Sequence, residues 1–148
     1  MYRHVLIATD GSRPSTKAVN HGVKLAKAVG ARVTFVNVTE MWSAIAMSAG
    51  LEAGVRDPFA DYERAVAQSA RKVLAAAERI AGRAGIKCKT EHVPDRRPAD
   101  GIVDAARRRK CDLIIVGSHG RRGIDRLLLG SQAYEVLTQS KVPVLVVR

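Results

Sequence analysis

Two patterns of apolar residues divide the chain. Short, mostly apolar runs at Val5 to Ala8, Val33 to Val38 and Leu113 to Val116 are bounded by turn residues. Such runs suit strands buried on both faces of a parallel sheet. Between them the apolar positions recur at intervals of three and four. Ala18, Val19, Val23, Leu25 and Ala26 form one face of a helix over 15–28, with Pro14 ahead of it and Gly30 behind. The longest such series runs from Phe59 through Tyr62, Val66, Ala70, Val73, Ala77 and Ile80 to Ala84, after Asp57 as cap and Pro58 in the first turn. Ile86 to Val93 predicts a strand, Ala99 to Arg109 a helix, Ser131 to Ser140 a helix and Pro143 to Val147 a closing strand.

Residues 39–56 carry little periodicity and read as a long connection, mobile or partly helical. It could pack on its own domain, cover a ligand or contact a second subunit. The remaining pattern alternates five strands with four helices. That predicts an α/β sandwich with a parallel sheet, helices on both faces and right-handed crossovers. At 148 residues, one domain over 1–148 is expected.

Composition removes several classes of protein. Hydrophobic residues at 47% and charged residues at 26% exclude a disordered chain. The longest uncharged apolar stretch, Met41 to Leu51, is far short of the roughly 18 residues of a membrane span. The start, MYRHVLIATDGS, turns polar too early for a signal peptide, so a cytoplasmic location without membrane association is expected. Cys88 and Cys111 lack metal-ligand spacing and read as free thiols. A net charge of +11 invites an anionic partner. The basic residues are nevertheless scattered, aromatics are only 4%, and the run Arg107 to Lys110 falls where a helix should end. These features weigh against nucleic acid.

Candidate chemistry gathers after the first and fourth strands. In an open parallel sheet, ligands bind beyond the strand carboxyl ends where the strand order reverses. Thr9-Asp10-Gly11-Ser12 follows the first strand, and Gly117-Ser118-His119-Gly120 follows the fourth, with Gly130-Ser131 opening the next helix. Glycines there would permit positive φ or let backbone N–H groups approach an anion, and the helix start would favour a phosphate. Arg121, Arg122 and Arg126 add positive charge nearby. The same residues also suit a turn at Gly117 and Gly120 and a cap at Ser131. No GxxxxGK[ST], GxGxxG after the first strand, GxSxG or HExxH occurs, and no nucleophile with an orienting carboxylate stands out. His119 therefore reads as a loop-shaping or ligand-contacting residue rather than a general base.

Across nearly its whole length the sequence resembles the universal stress protein family, through HVLIATDGS, DLIIVGSHG, LLLGS and VPVLVV. Gly117, two residues, Gly120, nine residues and Gly130-Ser131 resemble the pattern of the ATP-binding subgroup. The resemblance implies a Rossmann-like three-layer sandwich, its five-stranded parallel sheet in the order 3-2-1-4-5. It also implies a nucleotide between the first and fourth strands. By that analogy Ala8, Thr9 and Asp10 approach adenine, ribose or a phosphate-bound metal, and the backbone of Val38 borders adenine. Val116 and Gly117 would line the ribose side, with Gly120, Gly130, Ser131 and Gln132 around the phosphates. Asp10 could accept ribose hydroxyls or help position Mg²⁺, or serve only as a turn residue. The expected function is an ATP-binding regulatory or stress-response module, with an unknown protein partner and at most slow hydrolysis. An adenine-nucleotide sensor preferring cyclic AMP or AMP, or a true ATPase or phosphotransferase, is the alternative. Val144 to Val147 resembles the edge through which family members form homodimers.

Overall fold

The computed structural model describes residues 1–40, 44–54, 56–119 and 129–148. Five strands, β1 (His4–Ala8), β2 (Arg32–Val38), β3 (Cys88–Val93), β4 (Leu113–Gly117) and β5 (Val144–Val147), pair in parallel in the order β3-β2-β1-β4-β5. Helices α1 (Arg13–Val29), α2 (Ala44–Glu52), α3 (Pro58–Arg83), α4 (Pro98–Arg109) and α5 (Ser131–Gln139) complete the described elements. The expected architecture and strand order are both present.

Alternation along the strands sorts the core into two layers. Val5, Ile7, Val33, Phe35 and Ile115 pack with Val19 and Val23 of α1 and Leu74 of α3. Leu6, Val36, Ile114 and Val116 face the other way, onto Ile102 of α4 and Val136 of α5. Successive strand side chains point to opposite faces, so a strand covered on both sides must be apolar throughout. β1, the middle strand, is buried at all five positions.

Local chemistry sets the helix starts. Ser12 caps α1 by accepting the Ser15 N–H at 3.3 Å, and Asp57 caps α3 by accepting the Ala60 N–H at 3.0 Å. Several boundaries differ from expectation by a residue or two, most of all the start of α1, at Arg13 rather than Ser15, and the start of β3, at Cys88 rather than Ile86. The connection over 39–56 contains α2, a fifth helix whose apolar residues are not confined to one face, so periodicity could not reveal it. Gly50 of α2 lies directly against Pro58 at the start of α3.

Every βα connection returns the chain from the carboxyl to the amino end of the parallel sheet. The strand order reverses between β1 and β4, adjacent strands that are not consecutive in the chain. That juxtaposition brings the loops after β1 and β4 together.

Candidate functional site at the carboxyl end of the sheet

A cleft of about 690 Å³ opens beyond the carboxyl ends of β1, β2 and β4. Its size falls in the range of small-molecule sites. Ala8, Thr9, Asp10, Val38, Val116, Gly117, Gly130, Ser131 and Gln132 all line it, as does His119. Gly120 lies outside the described residues, as do Arg121, Arg122 and Arg126.

The loop after β1 is held by its own polar groups. The Thr9 N–H donates to the Val36 carbonyl at 2.9 Å, and the Thr9 carbonyl accepts from Asn37 Nδ2 at 2.8 Å. Thr9 Oγ1 and Ser15 Oγ lie 3.2 Å apart, both side chains buried. Asp10 Oδ1 accepts the Ser12 N–H at 2.9 Å, so the carboxylate shapes the turn while bordering the cleft. Gly11 adopts a φ of 78° in that turn.

Glycine acts differently in the loop after β4. Neither Gly117 nor Gly130 has a positive φ, correcting that part of the sequence expectation. What each requires is close approach between backbones. A Cβ on Gly117 would stand 2.9 Å from the Pro14 carbonyl carbon and oxygen, and one on Gly130 would stand 2.8 Å from the Ser118 carbonyl oxygen. The Gly130 N–H donates to that same Ser118 oxygen at 2.7 Å, which fixes the start of α5 against the end of β4. The Gly130 amide is therefore committed to the fold.

Gly130 is also the N-cap of α5, and among the described residues it makes no side-chain capping bond. Ser131 is thus the first helical residue and not the cap. The amides of Ser131, Gln132 and Ala133 occupy the first turn, whose N–H groups have no intrahelical acceptor. All three residues border the cleft, where those amides and the positive end of the helix suit an anion. Gln132 Oε1 accepts the Ala99 N–H at 3.0 Å, capping α4 and tying it to α5. His119 Nδ1 and Ser118 Oγ are 3.1 Å apart, consistent with a loop-shaping role.

Several wall residues escaped the sequence reading. Tyr62, Val66, Ser69 and Val73 of α3 form one side, and Pro98 and Ile102 of α4 another. Asn37 was legible only as a polar residue near the end of an apolar strand; it is buried, and its Oδ1 has no hydrogen-bond partner among the described residues. Thr39 Oγ1 lies 2.8 Å from His92 Nε2 at the cleft margin. Burial lowers the His92 pKa, against the opposing pull of Asp95.

Among the described residues no group of three or more His, Cys, Asp or Glu could hold a metal by itself. Asp10 supplies one hard oxygen donor at the cleft. That fits Mg²⁺, which usually arrives with phosphates and waters and takes only one or two protein carboxylates.

An open parallel sheet with such a cleft at its reversal point defines an α/β ligand-binding domain. The model of the universal stress protein family matches residues 1–148, and the chain belongs to that family. It is 33% identical over 151 residues to universal stress protein YxiE of Bacillus subtilis, covering 100% of each chain. Among solved structures it is similar to MJ0577 of Methanocaldococcus jannaschii, with TM-score 0.82 and 26% identity over 99% of this chain and 96% of that one. It is also similar to a universal stress protein in complex with cAMP, with TM-score 0.67 and 28% identity over 99% and 97%. No helix among the described residues is long and apolar enough to cross a membrane.

Proposed function

We propose that this chain is an adenine-nucleotide-binding regulatory module, taking ATP with Mg²⁺ in the cleft at the carboxyl end of its sheet. The observation that carries it is the α5 N-terminus without a side-chain cap, opening into the same cleft as Asp10. Backbone amides at a helix start are donors suited to phosphate. Following the family resemblance, Ala8, Thr9 and Asp10 contact the base, ribose or the metal, and the Val38 backbone borders adenine. Val116 and Gly117 line the ribose, and Gly120, Gly130, Ser131 and Gln132 surround the phosphates. Mg²⁺, when bound, neutralises phosphate charge, and Asp10 is the residue that would hold it.

Residues 1–148 act as one cytoplasmic domain in which the nucleotide is a signal read by a protein partner. No residue is assigned as a base positioned for in-line attack, so hydrolysis is at most slow. A ligand shifts an equilibrium only through differential affinity, so ATP must change partner binding or the exposure of a segment such as 39–56. The relative in complex with cAMP supports cyclic AMP as the alternative ligand.

A homodimer through β5 accompanies this function. Val144 to Val147 form a half-buried edge strand, and Tyr134 and Leu137 of neighbouring α5 are exposed. Unpaired strand edges are commonly covered, and a second copy would do so. Sedimentation over rising concentration measures this, and a monomer throughout rejects the dimer.

Calorimetric titration with ATP and Mg²⁺, beside folded Gly130→Val, tests the nucleotide site. Saturable binding by the wild type and its loss in the variant are expected. Competition by cyclic AMP and AMP ranks the ligands. Absence of binding by nucleotide-free, folded wild type contradicts the proposal, and tighter binding of cyclic AMP replaces ATP as the ligand.

A further inference from the structure

The basic residues scattered through the sequence are gathered by the fold. α1, α3 and α4 all run toward the amino ends of the strands, where their last turns carry Lys27, Arg83 and Arg107 to Arg109. At the cleft end the first turns are mixed in charge: α1 begins with Arg13, whereas α3 carries Asp61 and α4, after Arg97, carries Asp100. The strands add to the same pole, with exposed Arg3 before β1, Arg32 opening β2 and Lys89 near the start of β3.

Acidic compensation at this pole is partial, and Asp104 pairs with Arg107 at 3.1 Å. Asp112 accepts the N–H groups of Arg3 at 2.8 Å and His4 at 3.0 Å. Glu91 is bridged by Arg108 at 2.7 Å and Arg109 at 2.6 Å. Burial opposes Glu91 ionisation, but those two arginines prevail and hold its pKa down. Arg32 and Lys89 both act electrostatically on His4, while Arg32 and Arg109 act on Cys111, so charges from separate elements share one region.

Helix ends alone do not account for this concentration. A helix C-terminus is equivalent to about half a negative charge, which one cation offsets. α4 alone ends in three arginines followed by Lys110.

We propose that the amino-end pole of the sheet docks the phosphate backbone of duplex nucleic acid, independently of the nucleotide cleft at the opposite end. Such binding requires an array of cations and no base contacts. The pole has few features of other interfaces. Among the described residues, the large exposed apolar side chains Leu51, Phe59 and Tyr134 belong to other parts of the fold, and only Met1, Val29 and Leu137, in the last turn of α5, lie toward this end. Protein interfaces are anchored mainly by buried aromatic and arginine clusters, and single-strand sites by stacking aromatics. A duplex backbone is matched by charge alone, and arginine forks suit its phosphates.

Anisotropy titration of the full chain with a labelled mixed-sequence DNA duplex tests this at 50 and 200 mM salt. For about six phosphate contacts, affinity should fall about a thousandfold between those salts. The combined variant Lys27→Gln, Lys87→Gln and Lys89→Gln alters exposed residues in the last turn of α1, just before β3 and at its start. It should reduce the logarithmic salt slope by about 0.9 for each contact removed. A control triple at the other end, Arg13→Gln, Lys17→Gln and Arg56→Gln, removes the same charge and should leave the slope unchanged. Matching thermal melts establish that both variants are folded. No duplex binding at 50 mM salt overturns the proposal. Equal weakening by both triples also overturns it, because net charge rather than the pole would then govern binding. So does preferential binding to phosphatidylserine vesicles, which would make the pole a membrane contact.

Discussion

The two ends of the sheet solve different problems with the same strands. At the carboxyl end, Gly117 meets the Pro14 backbone and Gly130 meets the Ser118 carbonyl, leaving backbone amides and the carboxylates of Asp10 and Glu40 around a cleft. At the amino end, the chain turns are closed by backbone bonds such as Ala31 N–H to the Ala26 carbonyl and Cys111 N–H to the Ala106 carbonyl, and the charged groups are long side chains. One end is shaped by backbone approach and the other by side-chain charge. Substitutions that add a single carbon should therefore matter most at the cleft, whereas changes of ionisation should matter at the basic pole.

Gly117→Ala is the strongest way to break that contrast. Its new Cβ would meet main-chain atoms that cannot rotate aside, so the expected destabilisation is about 1–3 kcal/mol, as for other overpacked sites. Chemical denaturation measures it; an unchanged midpoint with retained nucleotide binding would mean that the close approach is unimportant. Gln132→Ala should have a smaller effect. It removes the acceptor for the Ala99 N–H, and cap losses typically cost about 0.5–2 kcal/mol. A lower melting temperature is expected, and none is expected to drop if another acceptor replaces Gln132.

Acid sharpens the contrast with the shallowest effect. His4 is buried, with Nε2 2.8 Å from Thr34 Oγ1. Burial lowers its pKa below 6.5, aided by Arg32 and Lys89, while the Arg109 backbone and Asp112 pull upward. The unfolded state therefore binds the proton first as pH falls. Stability from this group is complete above about pH 6.5 and declines below it until the folded pKa is reached, with a slope of at most about 1.4 kcal/mol per pH unit. His92 has the same sign at the cleft margin. Denaturation of His4→Gln and His92→Gln across pH 4.5–7.5 separates the two ends. Each should flatten part of the decline, and a wild-type profile in the His4 variant contradicts its assignment.

Much of the sheet was legible because burial on both faces forces apolar runs, as in Val5 to Ala8 and Leu113 to Val116. The glycines at 117 and 130 were visible as positions, but sequence could not distinguish positive φ from backbone contact. Asn37 and the α3 wall residues Tyr62 and Val66 were obscured because a cleft wall follows the same spacing as a core face. Within 39–56, read as mobile or partly helical, the bounds of α2 could not be drawn because its apolar residues lack one helical face. The basic pole was hidden most completely, since Arg3, Arg32 and Lys89 come to one end only when the strands align, and Arg109 only when α4 packs back along the sheet.

Amide hydrogen exchange with and without ATP and Mg²⁺ most directly tests the central claim that the cleft end binds nucleotide. The account predicts slower exchange at Ser131 to Ala133 and in the loop from Thr9 to Ser12, with no comparable change around Arg32 and Lys89. Saturating nucleotide that leaves both cleft segments unchanged, or protects the amino-end pole instead, would contradict it.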